Sequence, residues 1–395
     1  MNKVTTIILL FAFMMGGILS SAAQNGEEID KIKDTRALVK TDSAAFLNSS
    51  FGEDRLGGNK MNFIDKEIIL KVTGQTGSLY RVALSQNRYA FIPKEMTTPL
   101  QENCLPTYIT KQIENDSLQT VKEITIKPAL TGSFSARNTG KEEKVTIALD
   151  HACPYLAWEE KEPHRLIVEI YGAVNNSVWL TQSLNLESIE SVEVRQTDSD
   201  ITTLIINIKK KSSWGYNIWY SGNNLNISIK HPPYFSLRGL TIGVDAGHGG
   251  TSTGAVSVKR DEEKVLNMEM VYRLKRLLEK KGAKIVLSRE GDNNVSMQRR
   301  KEIFRDNNID LMISIHCNAG GKSAQGTSTY YKHLVYRPLA EYILKNLVTI
   351  EGVKEFGLIG NFNFSLSAAT NYPAILVETL FLSNPSDTEM IENPE

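Results

Sequence analysis

Hydrophobic and polar positions keep one rhythm over the first 230 residues of this 395-residue chain and another over the rest. From Phe51 to about Ile126, apolar and polar residues alternate in "KEIILKVTG" and "LYRVALSQNRYAFIP". Turn chemistry from Gly74 to Gly77 separates the two, and short strands of this kind predict a small barrel or sandwich. A second alternating segment, 133–233, holds six strand-like runs: "KVTIALD", "HRLIVEIYG", "SVEVRQ", "TTLIINIK", "YNIWY" and "LNISIK". Pro232 and Pro233 mark a linker after it. From residue 239 the strands become continuously apolar and alternate with helix-period stretches. "LTIGVDAG" leads to a helix over 262–281, with Val271, Leu274 and Leu278 on one face and Gly282 as its stop. "AKIVLSRE", a helix over 296–308, "DLMISIHCNA", a helix over 333–349 and "PAILVETLF" follow. The fold class predicted is α/β: a C-terminal domain, 239–395, with a mostly parallel sheet covered by helices, preceded by two small β-rich domains, 51–126 and 133–233.

The N-terminus changes the expected location. "MNK" gives a basic start, Ile7–Leu19 is apolar but short for a membrane span, and "SSAAQ" offers the small residues a signal peptidase reads. A signal peptide over 1–23 is expected, followed by a polar linker over 24–50. No Cys follows the apolar run, which argues against a lipid-anchored form, so no membrane anchor is expected after cleavage. Lysine plus arginine and aspartate plus glutamate both number 45, a balance that points away from a nucleic-acid partner. Lys209, Lys210 and Lys211 read as a solvated turn. Of the three cysteines, Cys104 and Cys153 are free to pair in an oxidising compartment, or all three, Cys317 included, serve as small hydrophobes.

Candidate chemistry collects at the ends of the C-terminal strands, where open α/β sheets place their sites. His248 follows the first strand, His316 closes the third, and Glu378 interrupts the last; Glu262 and Glu263 open the helix after the glycine-rich loop. A hydrolytic zinc site needs such a set: imidazoles, a carboxylate and an open position for water. Gly247, Gly249 and Gly250 allow the sharp turn beside His248. Each piece has a plainer reading, since a His at a strand end is often held by a carbonyl and a first-turn Glu complements the helix dipole. Glu378 is harder to dismiss, because an unpaired carboxylate within "AILVETLF" is costly.

"VDAGHGG…EK", "SIHCNA" and "PAILVETLFLSN" resemble, in family order, the zinc-dependent N-acetylmuramoyl-L-alanine amidases of the amidase type 3 family, from residue 240 onward. The resemblance implies one Zn2+ held by His248, Glu263 and His316, with Glu378 as catalytic base and Arg300 and Asp310 as structural residues. It implies hydrolysis of the amide between N-acetylmuramic acid and L-alanine of the peptidoglycan stem peptide, by a periplasmic or wall-associated protein. "GSLYRVAL" and "RYAFIP" resemble bacterial SH3-like domains. The order of strands around "EPHRLIVEIYGA" resembles the AMIN domain that precedes many cell-wall amidases. Trp158, Trp179, Trp214 and Trp219 offer either a sugar-stacking platform there or, more simply, core filling. The chain departs from the family at Cys317, where Ala is usual, and at Phe304–Arg305, where Ala–Asn is common. It also ends at "MIENPE", where the family continues into a helix, which suggests truncation. Gly326 to Pro373 is too short for the inhibitory helix of some septal amidases, which implies an open site. A zinc peptidase cutting within the stem peptide and a non-catalytic wall-binding module are the rival classes; any activator protein is left unidentified.

Overall fold

The computed structural model describes residues 29–30, 35–39, 44–47, 60–100, 106–116, 119–177, 182–233, 236–362 and 364–393. The expected signal peptide, Cys104 and Trp179 lie outside the described residues. Among the described residues, no helix is long and apolar enough to cross a membrane.

The first layer is a seven-stranded antiparallel sheet built from the alternating sequence at 60–99. Ile69–Thr76 shows why: every second residue is buried, so Leu70 and Val72 face the core while their neighbours face outward. The stretch read as a linker also contributes to this sheet. Thr35–Val39 pairs with Ile69–Thr76, and Ala44–Leu47 pairs with Lys60–Ile64, which corrects the 24–50 expectation. Their apolar cores, "ALV" and "AFL", are too short for periodicity to register, and pairing along the sheet supplies what the sequence pattern lacks. Ile109–Asp116 and Gln119–Ile126 form a separate two-stranded ribbon, not part of the first sheet.

The second region is a sandwich. One sheet contains Ala129–Asn138, Glu142–Leu149, Tyr216–Ser221 and Asn224–Lys230; the other holds Tyr155–Lys161, His164–Tyr171, Ile189–Asp198 and Ile201–Ile208. Val145, Ile147, Leu166, Val168, Leu204 and Leu225 meet between them. The same buried cluster continues into Val72, Val82 and Ile92 of the first region, so the two β regions share a core. None of the described tryptophans belongs to it. Trp158 is exposed, Trp219 lies half-buried under Lys144, and Trp214 packs against the C-terminal core, which for the described tryptophans overturns the expectation that they fill the sandwich core.

The C-terminal region carries the strands numbered β1 (Thr241–Ala246), β2 (Lys284–Leu287), β3 (Leu311–Asn318), β4 (Thr327–Tyr331), β5 (Glu355–Gly360) and β6 (Ala374–Phe381). Their order is β2-β1-β3-β6-β4-β5. The first four run parallel, but β4 is antiparallel to β6 and carries β5 beside it, so the sheet is mixed. Helices α1 (Glu263–Lys280) and α3 (Arg337–Leu347) cover one face through Met268, Val271 and Ala340; α2 (Met297–Asp306) covers the other through Phe304. A Cβ at Gly243 would sit 3.0 Å from the Phe304 ring, so a glycine on β1 makes room for the unusual phenylalanine. Helix α4 (Pro385–Glu392) follows β6, capped by Asn384 accepting from Ser386 and Asp387.

Sandwich and α/β layer touch closely. A side chain at Gly215 would collide with the backbone of Asn371 at 2.5 Å, and Tyr216 N donates to Thr370 O at 2.7 Å.

Candidate functional site

Three chain segments bring His248, Glu263 and His316 together at the C-terminal ends of β1 and β3. His248 Nε2 lies 3.1 Å from Glu263 Oε2, and His316 Nδ1 lies 3.0 Å from Glu263 Oε1. One nitrogen or oxygen from each residue falls within 4.8 Å of the others. Donors held at about 2.0–2.1 Å from a tetrahedral ion stand roughly 3.3 Å apart, so the set suits a small divalent cation.

The sequence folds this way because loop and helix hold each other. Glu263 N and Lys264 N, left without helical partners at the start of α1, donate to Ala255 O and Thr253 O. Glu263 Oε2 in turn accepts from Ala255 N at 2.8 Å, while Oε1 accepts from Cys317 N and Asn267 Nδ2, both at 3.1 Å. Burial would raise the Glu263 carboxyl, but the two imidazoles and these donors outweigh it and hold the group well below the usual carboxylate range. His316 moves the other way. Burial opposes its charge, yet Glu263, Glu378 and Asp245 together raise it overall.

Two glycines make this packing sterically feasible. A Cβ at Gly247 would meet the His316 ring at 2.3 Å, and one at Gly254 would meet Glu263 Oε2 at 2.4 Å. His248 itself has φ 62°, a left-handed conformation uncommon for a residue with a side chain. Buried arginines support it. Arg300 donates to Ala246 O at 2.7 Å and His248 O at 2.5 Å, and forms a 2.6 Å ion pair with Asp245. Arg289 donates to Ala246 O, Gly247 O and Lys264 O. Every carbonyl from residue 246 to 248 is thus occupied. Lys264 reaches across the loop to Gly250 O and to Asp292.

Glu378 sits on β6 with its Cα in register with His316. Its Oε2 is buried and has no hydrogen-bond partner among the described residues. Burial raises its carboxyl to about 7, with Glu263 adding and His316 opposing. Such a group exchanges a proton near neutral pH. Beside it, Ser328 is its register partner on β4 and donates to Tyr330 Oη, whose ring meets Phe362 edge-on at 4.9 Å.

The remaining candidates divide cleanly. Glu262 stands outside the set, 3.2 Å from Lys264 Nζ. Asp310 accepts from Thr241 N at 2.8 Å and ties α2's end to β1. Cys317 points to the opposite side from His316, toward Asn267 and Thr379, and burial pushes its thiol far up, which removes it as a nucleophile. Cys153 is a buried free thiol that donates to Gly172 O. Arg289, Gly254 and the Tyr330–Phe362 pair were not singled out from the sequence. Only the position of Arg289 at the end of a predicted strand, "AKIVLSRE", hinted at a role.

An α/β layer with a His–Glu–His cluster at its strand ends is an arrangement able to hold a divalent cation. Residues 242–395 match the family described as N-acetylmuramoyl-L-alanine amidase. The probable cell wall amidase LytH of Staphylococcus saprophyticus is 36% identical over 186 residues, which cover 44% of this chain and 60% of LytH. The uncharacterized protein YqiI of Bacillus subtilis is 32% identical over 163 residues, covering 40% of this chain and 78% of YqiI. Among solved structures, an N-acetylmuramoyl-L-alanine amidase from Clostridium difficile 630 is 33% identical, covering 39% of this chain and 87% of that one, with a TM-score of 0.38. The chain belongs to the N-acetylmuramoyl-L-alanine amidase family. It spans 60% of the length of the LytH relative.

Proposed function

We propose that the protein is an exported peptidoglycan hydrolase that cleaves the amide between N-acetylmuramic acid and L-alanine, with one Zn2+ held by His248, Glu263 and His316. The observation that carries this reading is the unpartnered, buried Glu378 Oε2 on the strand next to His316. A carboxylate oxygen left without a donor costs about 1–3 kcal/mol or more, so its place beside three cation ligands favours a chemical role over a structural one.

A zinc ion there supplies Lewis acidity, polarising a carbonyl oxygen and making water nucleophilic near neutral pH. The chain does the rest. Glu263 contributes the negative donor, kept ionised by its neighbours, and its contacts orient both imidazoles. Glu378 takes the proton from the attacking water and returns it to the leaving amine of L-alanine. Arg289 and Arg300 fix the loop so that His248 keeps its place while substrate enters. Phe362 and Tyr330 give the substrate an apolar wall beside the base.

The assignment of 51–126 as SH3-like and 133–233 as AMIN-like belongs to the same proposal, with the antiparallel sheet and the sandwich in its favour. Wall binding by these regions, and a periplasmic or wall-associated location following signal cleavage after residue 23, complete it. Mass analysis of digested peptidoglycan tests the reaction. Free stem peptides beginning with L-alanine are expected; shortened peptides still attached to muramic acid would replace the amidase with a peptidase.

A further inference from the structure

A cavity of about 450 Å3 lies far from the His–Glu–His cluster, at the seam of the first β region, the ribbon and the sandwich. Its volume falls in the range of small-molecule sites, about 300–1,000 Å3. Thr73 and Tyr89 line it from the first region, Tyr108 from the start of the ribbon, and His151, Ala152 and Asp200 from the sandwich.

Two features of this lining ask for a ligand. Tyr108 and His151 stack flat, with ring centroids 3.8 Å apart and planes within 4°, which gives the cavity a broad rigid wall. His151 is held by Asp150 at 2.9 Å, and burial keeps its imidazole below the usual range, so the wall is uncharged at neutral pH. Second, Asp200 Oδ1 is buried with no hydrogen-bond partner among the described residues. An acceptor in that state costs about 1–3 kcal/mol until something donates to it.

The charge balance narrows the class. Lys71 and Asp200 both line the cavity, so the lining carries no single sign of charge. What fits is a neutral molecule with an apolar C–H face for the rings and hydroxyl or amide N–H donors for the carboxylate. We propose that this cavity is a saccharide-binding site, one or two pyranose rings in size, formed only where the first β region and the sandwich meet. Stacking of a sugar face on the Tyr108–His151 pair and donation of one hydroxyl or amide to Asp200 account for both features. The site shares no residue with the hydrolytic centre and stands or falls independently of it.

The test uses the full chain and a soluble probe, the trisaccharide of N-acetylglucosamine, followed by calorimetric titration and by melting temperature. The wild type is expected to bind. Ala152→Phe, which fills the cavity, is expected to lose binding, and Asp200→Asn, nearly the same shape, to weaken it about tenfold, 1.4 kcal/mol. Hydrolysis of a soluble amide substrate should stay unchanged in both. If Ala152→Phe lowers the melting temperature, Asp200→Asn at wild-type melting temperature decides alone. Absence of binding by the wild type at millimolar probe, or equal affinity in a folded Asp200→Asn, overturns the proposal. Tighter binding of a lysine-bearing peptide at the same residues overturns the saccharide class.

Discussion

Glu143 in the sandwich and Glu378 in the α/β layer are both glutamates on strands rich in apolar residues, yet they are treated oppositely. Glu143 is fully buried, and its two oxygens accept from the backbone N–H groups of Glu187, Ser188 (2.8 Å) and Ile189 (2.7 Å). It closes a turn, and its hydrogen-bonding capacity is used by the fold. Glu378 keeps one oxygen without a donor and has a carboxyl raised to about 7 by burial. Burial alone therefore does not mark a reactive carboxylate. What sets Glu378 apart is an unmatched buried oxygen together with its place in register with His316 of the His–Glu–His cluster.

The contrast can be broken most completely by testing the proposed metal. Chelation is expected to abolish amide hydrolysis, and added Zn2+ to restore it; Glu263→Ala should mimic this by lowering metal content along with turnover, read by metal analysis of the purified protein. Next in size is Glu378→Gln. It should lower kcat by roughly 10²–10⁴ while metal content stays at the wild-type level. Loss of metal from that variant would move Glu378 into the ligand set.

A smaller effect, and one on stability, is expected at Arg300. Arg300→Met leaves Asp245 buried without its cation, at a cost of about 3–5 kcal/mol in urea unfolding at neutral pH. The pH dependence fixes the sign. In the wild type, burial works against the Asp245 carboxylate, but Arg300, His316 and the Ser288 and Ser314 hydroxyls together outweigh it, so the carboxyl titrates below its ordinary value. That contribution is complete above the unfolded value of about 3.9 and is lost as pH falls through the lower folded one. In Arg300→Met the cation's share is lost and burial weighs more heavily, so the carboxyl rises and the variant's deficit should shrink as pH falls from 7 toward 4. A deficit independent of pH would mean that the lost carbonyl contacts, not the ion pair, dominate.

Smallest is Glu143→Gln. It keeps one acceptor oxygen but turns the other into a donor facing backbone N–H groups, so a loss of about 1–3 kcal/mol is expected. Hydrolysis of a soluble amide substrate should not change. Were turnover to fall as it does in Glu378→Gln, the distinction between the two glutamates would fail.

How much was legible follows from the same physics. Strands β1, β3 and β6 announce themselves as continuous apolar runs, because both of their faces are covered, and the helices between them carry a clear apolar stripe. Strands β4 and β5 do not. "TSTYY" buries Ser328 and Thr329 completely, and their hydroxyls read as loop until Ser328 finds Tyr330 and Thr329 finds Ala340 O. The antiparallel entry of β4 was therefore invisible, and it gives the mostly parallel sheet its antiparallel pairing. At the site, His248, His316, Glu263 and Glu378 were recognisable from residue type and motif, and the structure brings them to one end of the sheet. Arg289 was not, since an arginine at a strand end looks like surface charge until three carbonyls are seen to need it.

The pinning of those carbonyls bears on the timing of events rather than on their chemistry. Ala246, Gly247 and His248 are fixed by Arg289 and Arg300 through bonds that involve no side-chain donor atom of His248, Glu263 or His316. The loop's carbonyls are thus held by protein groups alone. An ion taken up at the proposed site would meet a nearly finished socket with little chain left to order, so its uptake should resemble docking more than coupled folding. Protein stripped of its ion should keep the same amide proton spectrum outside the cluster and reload as fast as the ion can reach it.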